Sequence, residues 1–237
     1  MQTNMSQMMG YDRSAMFSPD GRLLQAEYAK KTVKQGSTTV GLVCKDGVLI
    51  MADKRIFDKF IVAKSIEKIF QVDDHIAAGA SGIISDARIL VERAQLLAQQ
   101  HKVTYDNPID TMTLVKEICN VKQAYTQYGG GRPFGVSIIF GGIDESEPRL
   151  FLTDVTGIFF QYKATAIGEA EAEIKEMLDK EYKDNITIEE GIKLTIKMLK
   201  KVLNKDFDLA RIDGAYIKSA DKKFVRLDVP DLKKYNN

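Results

Sequence analysis

Histidine and cysteine are scarce in this chain, and net charge is nearly absent. Two histidines, His75 and His101, and two cysteines, Cys44 and Cys119, occur in 237 residues. Neither pair has the spacing of a metal site, which argues against zinc-type ligation and against histidine-based acid–base catalysis. No metal or cofactor is expected. Cys44 lies in an apolar, strand-like run and reads as a buried thiol, and unpaired thiols suit a reducing cytoplasm. The formal net charge of +1 gives no footing for nucleic acid or for an anionic membrane. No apolar run reaches the length needed to cross a bilayer. The first ten residues, Met1 to Gly10, are polar and Met-rich, with no basic segment leading into an apolar one, so no secretory signal is expected. The remaining composition is that of an ordinary globular chain, long enough to bury a sizeable core.

The richest stretch runs from Tyr11 to Gly41 and places two devices back to back. Residues 18–34 are expected to form a helix. Ser18 can cap it, Pro19 fits its first position, and Asp20 puts a negative charge in the first turn. Leu23, Ala26, Ala29 and Val33 recur at helical spacing, so one face should be buried. Gly36 breaks the pattern, and STTVGLV starts a β-branched strand. A helix ahead of the first strand of a compact domain covers something or docks onto something.

Downstream, STTVGLVC and GVLIMADKR flank the turn Lys45-Asp46-Gly47, a hairpin signal. IEKIFQVD and HIAAGAS read as a second hairpin about Asp73-Asp74. A long helix is expected over Ser85–Lys102, with Ala87, Leu90, Ala94 and Leu97 as its core stripe. A second is expected from about Pro108 to Tyr128, with Met112, Val115, Ile118 and Val121 on one face, ended by Gly129, Gly130 and Gly131. PFGVSIIFGGID, RLFLTDV and GIFFQYKATAIG read as strands. EAEAEIKEMLDKEY and IEEGIKLTIKMLKKVL read as helices, and RIDGAYIKS and KFVRLD close the sheet. This order suits an α+β fold in which two antiparallel sheets lie between helix pairs, four layers in all. No low-complexity linker divides the chain, so a single domain is expected over 1–237. In the helix from Glu169 to Lys183, Glu171 with Lys175 and Glu176 with Lys180 stand at i,i+4, the pattern of a solvated face.

Several segments together carry a resemblance: YDR near the start, FSPDGRLLQAEYA, GSTTVG, SIEKI, ASGIISDAR and YTQYGGGRPFGVS. In this order and spacing the chain resembles a proteasome core-particle α subunit of the archaeal type, over nearly its whole length. The resemblance implies the αββα sandwich of N-terminal-nucleophile hydrolases, with an extra N-terminal helix. It implies a gating tail and turn over 1–17, a leading helix over 18–34, and the sandwich over 37–237. α subunits of this family form heptameric outer rings, control substrate entry and dock regulatory ATPases, while β subunits carry out proteolysis. Implied partners are neighbouring α subunits, β subunits, the C-termini of regulatory ATPases and unfolded protein substrates. Neither nucleic acid nor membrane is among them, and the implied location is the cytoplasm.

The resemblance also implies site residues. An activator pocket maps to Leu23, Lys30, Gly36, Lys68 and Gly82, where a lysine ammonium would meet a terminal carboxylate. A turn cluster at the gate maps to Tyr11, Asp12, Arg13, Pro19 and Tyr28. Between YDR and FSP, however, only Ser14, Ala15 and Met16 intervene where the family usually has four residues, which changes where Tyr11 and Asp12 reach. A pore annulus maps to Tyr128, Gly129 and Gly130; the third glycine, Gly131, stands where a branched residue is common. The same glycines follow a helix and precede a strand, the wrong polarity for a phosphate-cradling loop.

Two rival readings stand beside this one. Ser37 aligns with the nucleophile of the family's β subunits, Asp53 with their catalytic Asp and Lys68 with their catalytic Lys, which allows a self-processed protease cut at Gly36-Ser37. That chemistry needs a free α-amine beside the nucleophile, and here the nitrogen is expected to sit in a peptide bond. The other rival is a scaffold of the same fold outside the proteasome.

Overall fold

The computed structural model describes residues 10–11, 15–56, 58, 60–128 and 131–236. Among the described residues, ten strands form two antiparallel five-stranded sheets. One sheet has the order β10-β9-β2-β1-β8, from β1 (Thr39–Cys44), β2 (Gly47–Asp53), β8 (Ala164–Ile167), β9 (Ile212–Lys218) and β10 (Phe224–Leu227). The other has the order β3-β4-β5-β6-β7, from β3 (Ile69–Asp73), β4 (Ile76–Gly82), β5 (Val136–Asp144), β6 (Glu147–Thr153) and β7 (Phe159–Gln161).

The layering follows from strands that are apolar on both faces, the pattern of a sheet covered twice. In β2 every residue is buried. Val48, Ile50 and Ala52 point between the sheets, where they meet Ile69, Ile139, Leu150 and Ile217. Leu49 and Met51 alternate to the opposite face. There they meet two helices, α4 (Glu171–Glu181) and α5 (Ile188–Leu203), through Ile174, Leu178, Ile192, Ile196 and Leu199. On the outer face of the second sheet, α2 (Ile84–Tyr105) and α3 (Thr111–Gln127) bury Ala87, Leu90, Ala94, Leu114, Val115 and Ile118 against Ala78, Ile138, Phe140 and Phe151. The result is the four-layer αββα sandwich expected from the element order. A short C-terminal helix, α6 (Val229–Lys233), adds Leu232 to the first helical layer. No helix among the described residues is long and apolar enough to cross a membrane.

The leading helix, α1, spans Leu24–Gln35 and not 18–34. Ser18 does not cap it. The Ser18 carbonyl accepts from the Gly21 N–H (2.8 Å) and the Ser18 hydroxyl from the Arg22 N–H (3.1 Å). Gly21 takes a left-handed φ of +72°, which a glycine adopts without steric cost and which ends any helical run through it. Residues 18–22 are therefore a closed turn, and the helix starts after it without a side-chain cap.

Helix boundaries elsewhere differ from expectation by a few residues. Helix α3 starts at Thr111 because the Asp110 carboxylate accepts from the Thr113 N–H (3.0 Å). Its buried stripe is Leu114, Val115, Ile118, Cys119 and Lys122, while Met112 is 49% exposed. The expected strand GIFFQYKATAIG is two strands: β7 pairs with β6 in one sheet and β8 with β1 in the other. Of the two expected pairs on α4, Glu171 and Lys175 meet at 2.6 Å. Cys44 is buried as expected, and burial pushes its thiol up to about 12.

Candidate functional site

Helix α1 lies against β4 and β5. Ala26, Ala29 and Val33 face inward, and Ala29 and Val33 pack on Val155. Thr32 donates through Oγ1 to the Gly135 carbonyl (2.9 Å), and Lys30 pairs with Asp154 (3.0 Å). The helix then hands the chain directly to β1 through Gly36 and Ser37. A Cβ on Gly36 would stand 2.4 Å from the Gly82 nitrogen, so the two backbones touch and only glycine fits.

Ser37, Asp53 and Lys68 do converge at this junction. Lys68 donates through Nζ to the Ser37 carbonyl (2.7 Å) and to the Ser37 Oγ (2.6 Å). The Ser37 hydroxyl donates in turn to the Asp53 carbonyl (2.7 Å), and Ser81 donates through Oγ to the Ser37 carbonyl (2.9 Å). Lys68 is 2% exposed, so it is neither a surface lysine nor an open one. Burial pulls its amine down to about 7, even though Asp53 and Asp213 favour the charged form.

The Asp53 carboxylate, fully buried, does not engage Lys68 directly. It accepts two bonds from Arg211, at 2.9 and 2.8 Å, and one from the Arg55 N–H at 3.0 Å. The pairing register brings this about, because Asp53 stands opposite Ile212, the residue next to Arg211. Arg55 donates to the Gln35 carbonyl at the end of α1 (2.9 Å) and pairs with Glu169, whose own N–H donates to the Gly36 carbonyl (2.9 Å). Asp213 accepts from the N–H groups of Lys68 and Ile69, both at 3.2 Å. Arg55, Glu169, Arg211 and Asp213 were not singled out from the sequence. The only signal was charge flanking apolar strands, as in RIDGAYIKS, and that pattern does not name the partner.

Chemically, the junction holds a serine hydroxyl against a lysine amine, but the Ser37 nitrogen continues the peptide chain from Gly36. A nucleophile of this class uses its own free amine as base. Here α1 leads directly into it and packs on β4 and β5.

Of the expected pocket, Gly36, Lys68 and Gly82 form one contiguous group. Leu23 is half-buried at the start of α1, and Lys30 is occupied by Asp154. Of the turn cluster, Asp12 and Arg13 lie outside the described residues. Tyr11 and Tyr28 are half-buried and Pro19 is exposed; Lys31 places its ammonium 5.5 Å from the Tyr28 ring centre. No hydrogen bond joins Tyr11, Pro19 and Tyr28 among the described residues. Of the annulus, Gly129 and Gly130 lie outside the described residues, and Tyr128 closes α3 at 71% exposed.

The segment after that helix is anchored by a clamp the sequence did not reveal. Arg132 makes two bonds to Asp86 on α2 (2.6 and 2.7 Å), and the Gly135 N–H adds a third (2.9 Å). Burial pushes the Asp86 carboxyl up, but the Arg132 and Gly135 bonds outweigh it and hold the group below its ordinary value. The histidines take no part: His75 bonds the Ile109 carbonyl (2.8 Å) and His101 the Asn107 carbonyl (3.2 Å).

Two family models match. One described as a proteasome subunit matches residues 33–217, and one described as the N-terminal signature of A-type proteasome subunits matches residues 11–31. The second covers the turn and most of α1. The chain is 49% identical over 225 residues to the proteasome alpha subunit of Methanocaldococcus jannaschii, covering 94% of this chain and 86% of that protein. It is 45% identical over 232 residues to that of Methanosarcina thermophila, covering 98% and 94%. It is 44% identical over 228 residues to that of Archaeoglobus fulgidus, covering 96% and 92%.

Proposed function

The chain belongs to the proteasome α-subunit family, and from that premise we propose that it is a non-catalytic subunit of a heptameric outer ring, which gates substrate entry and docks regulatory ATPases. The observation that carries this reading is the Gly36–Ser37 junction. The one serine placed as a nucleophile follows directly from a helix packed on β4 and β5, and its hydroxyl is committed to the Asp53 carbonyl. Catalysis then belongs to β subunits stacked on the ring, and unfolded protein passes through the pore on its way to them. The working location is the cytoplasm.

Expressed alone, the chain should form rings in electron micrographs and show no peptidase activity. Sustained cleavage of a small peptide, abolished by Ser37→Ala, would sink the reading. The rival of self-processing draws on the 2.6 Å approach of Lys68 to Ser37. It predicts loss of the first 36 residues, which an intact mass would reveal; a full-length mass rejects it.

The pocket is assigned to Gly36, Lys68 and Gly82, with Leu23 at the far end of α1 and Lys30 on that helix included only because the resemblance implies them. For a terminal carboxylate to reach Lys68, the ammonium must exchange Ser37 for the incoming group. The gate is assigned to Met1 to Gly10, with the residues at Tyr11, Asp12, Arg13, Pro19 and Tyr28 setting its direction and Tyr128, Gly129 and Gly130 lining the pore. Deleting residues 1–10 should speed degradation of casein by the assembled core much more than hydrolysis of a tripeptide. The segment precedes the first packed element, so its loss leaves the fold intact, and a tail obstructs a threading chain more than a small peptide. Equal casein rates for full-length and truncated cores would remove the gate.

A further inference from the structure

Lys68 is a buried amine without a counterion of its own. Its two acceptors are the neutral carbonyl and hydroxyl of Ser37. Every carboxylate around it is already engaged by a guanidinium. Asp53 on β2 holds Arg211 in two bonds. Asp213 on β9 faces Arg226 at 3.4 Å, and Glu169 ahead of α4 pairs with Arg55. Arg55 itself opposes a second positive charge at this place. Glu67, the preceding residue, faces Arg226 at 3.6 Å. No other ionisable group bonds the amine among the described residues.

A terminal carboxylate entering this pocket would be the first anion free to serve Lys68. We propose that docking of a C-terminal carboxylate at Lys68 is coupled to proton uptake, so that the pocket responds to pH as well as to the activator. The inference rests on the docking role assigned above.

The balance is simple. The free α-carboxyl is ionised throughout the neutral range. The neutral lysine amine takes one proton from solvent as the carboxylate arrives and gives it back when the carboxylate leaves. With the amine at about 7 before docking, it is roughly half protonated at neutral pH, and uptake approaches one proton per site toward pH 8 to 9. Affinity should then fall about fifteen-fold between about pH 7 and about pH 8.5, and change less than about two-fold below pH 7.

The test is calorimetric titration of the full chain, in the particle it assembles into, with the C-terminal peptide of a regulatory ATPase. The peptide is used with its carboxylate free and with it amidated, from about pH 6 to about pH 8.5, in buffers of different ionisation enthalpy. The expected result is proton uptake that grows with pH, the stated loss of affinity, and neither effect for the amidated peptide. Lys68→Arg, whose guanidinium does not deprotonate, should bind with no such pH dependence. Should that variant fail to assemble, the buffer dependence of the wild-type heat still decides. Binding that needs the free carboxylate but takes up no proton would overturn the coupling and leave the docking role standing. Binding indifferent both to amidation and to Lys68→Ala would overturn the docking role itself.

Discussion

Replacing Lys68 with alanine should abolish stimulation by a regulatory ATPase or its C-terminal peptide while leaving the particle assembled. A charge-assisted hydrogen bond at a buried site is worth roughly 1.5–3 kcal/mol, about ten- to a hundred-fold in affinity. The fold should tolerate the change for two reasons. The Ser37 carbonyl keeps the Ser81 hydroxyl as a donor, at 2.9 Å. The truncation also removes an ammonium whose burial disfavours the charged form. Unchanged activation across a full titration would take Lys68 out of the pocket. Loss of assembly would make it a structural lysine tying the end of α1 to the sheet.

The second large effect is expected at Lys122, on the buried face of α3. This lysine is wholly enclosed, and its ammonium donates only to the Val136 carbonyl (3.0 Å) and the Thr153 Oγ1 (3.1 Å). Burial lowers it from 10.5 to about 8, with Asp154 pulling the other way, but Asp154 is engaged by Lys30. The sign follows from proton counts. Between about pH 8 and 10.5 the unfolded chain holds a proton on this residue that the folded chain does not, so stability rises with pH across that window. Below it both states are charged, and the penalty stays constant. The rise amounts to roughly 3 kcal/mol at 1.36 kcal/mol for each pH unit. Lys122→Met should remove this share of the pH dependence. Lys68, whose own window opens from about 7, adds in the same sense, while the buried Cys44 and Cys119 thiols, raised to about 12 and about 11, act in the opposite sense above about pH 9 and are the same in both proteins. Thr153 keeps its bonds to Ile138, so the variant should stay folded. Denaturant melts of both proteins near pH 7 and near pH 10 give the comparison, and equal slopes would show that Lys122 is not the source.

Much of the architecture was legible because its signals are local. A turn such as Lys45-Asp46-Gly47 joins two apolar runs, and each of them appears as a strand, β1 and β2. The order of helices and strands then left four layers as the way to bury every apolar face. The family signature was legible for the same reason, since its segments are short and stand in fixed order. Of the candidate site, Ser37, Asp53 and Lys68 were found by their place in that signature, and the structure brings them together.

What the sequence by itself determined is therefore the order of most elements, the fold class, the family, and the place of Ser37 directly after a helix. Tertiary structure decided the rest. The segment Phe159 to Ile167 became two strands because its halves pair with β6 and β1 in opposite sheets. A methionine at helical spacing, Met112, stayed exposed while a lysine, Lys122, went inside, because acceptors on β5 and β6 satisfy that ammonium there. The partner of Asp53 is Arg211, 158 positions away. The physical reason is common to these three. Periodicity and turn chemistry act over a few residues, whereas the charge a buried group carries depends on what the register of distant strands sets beside it.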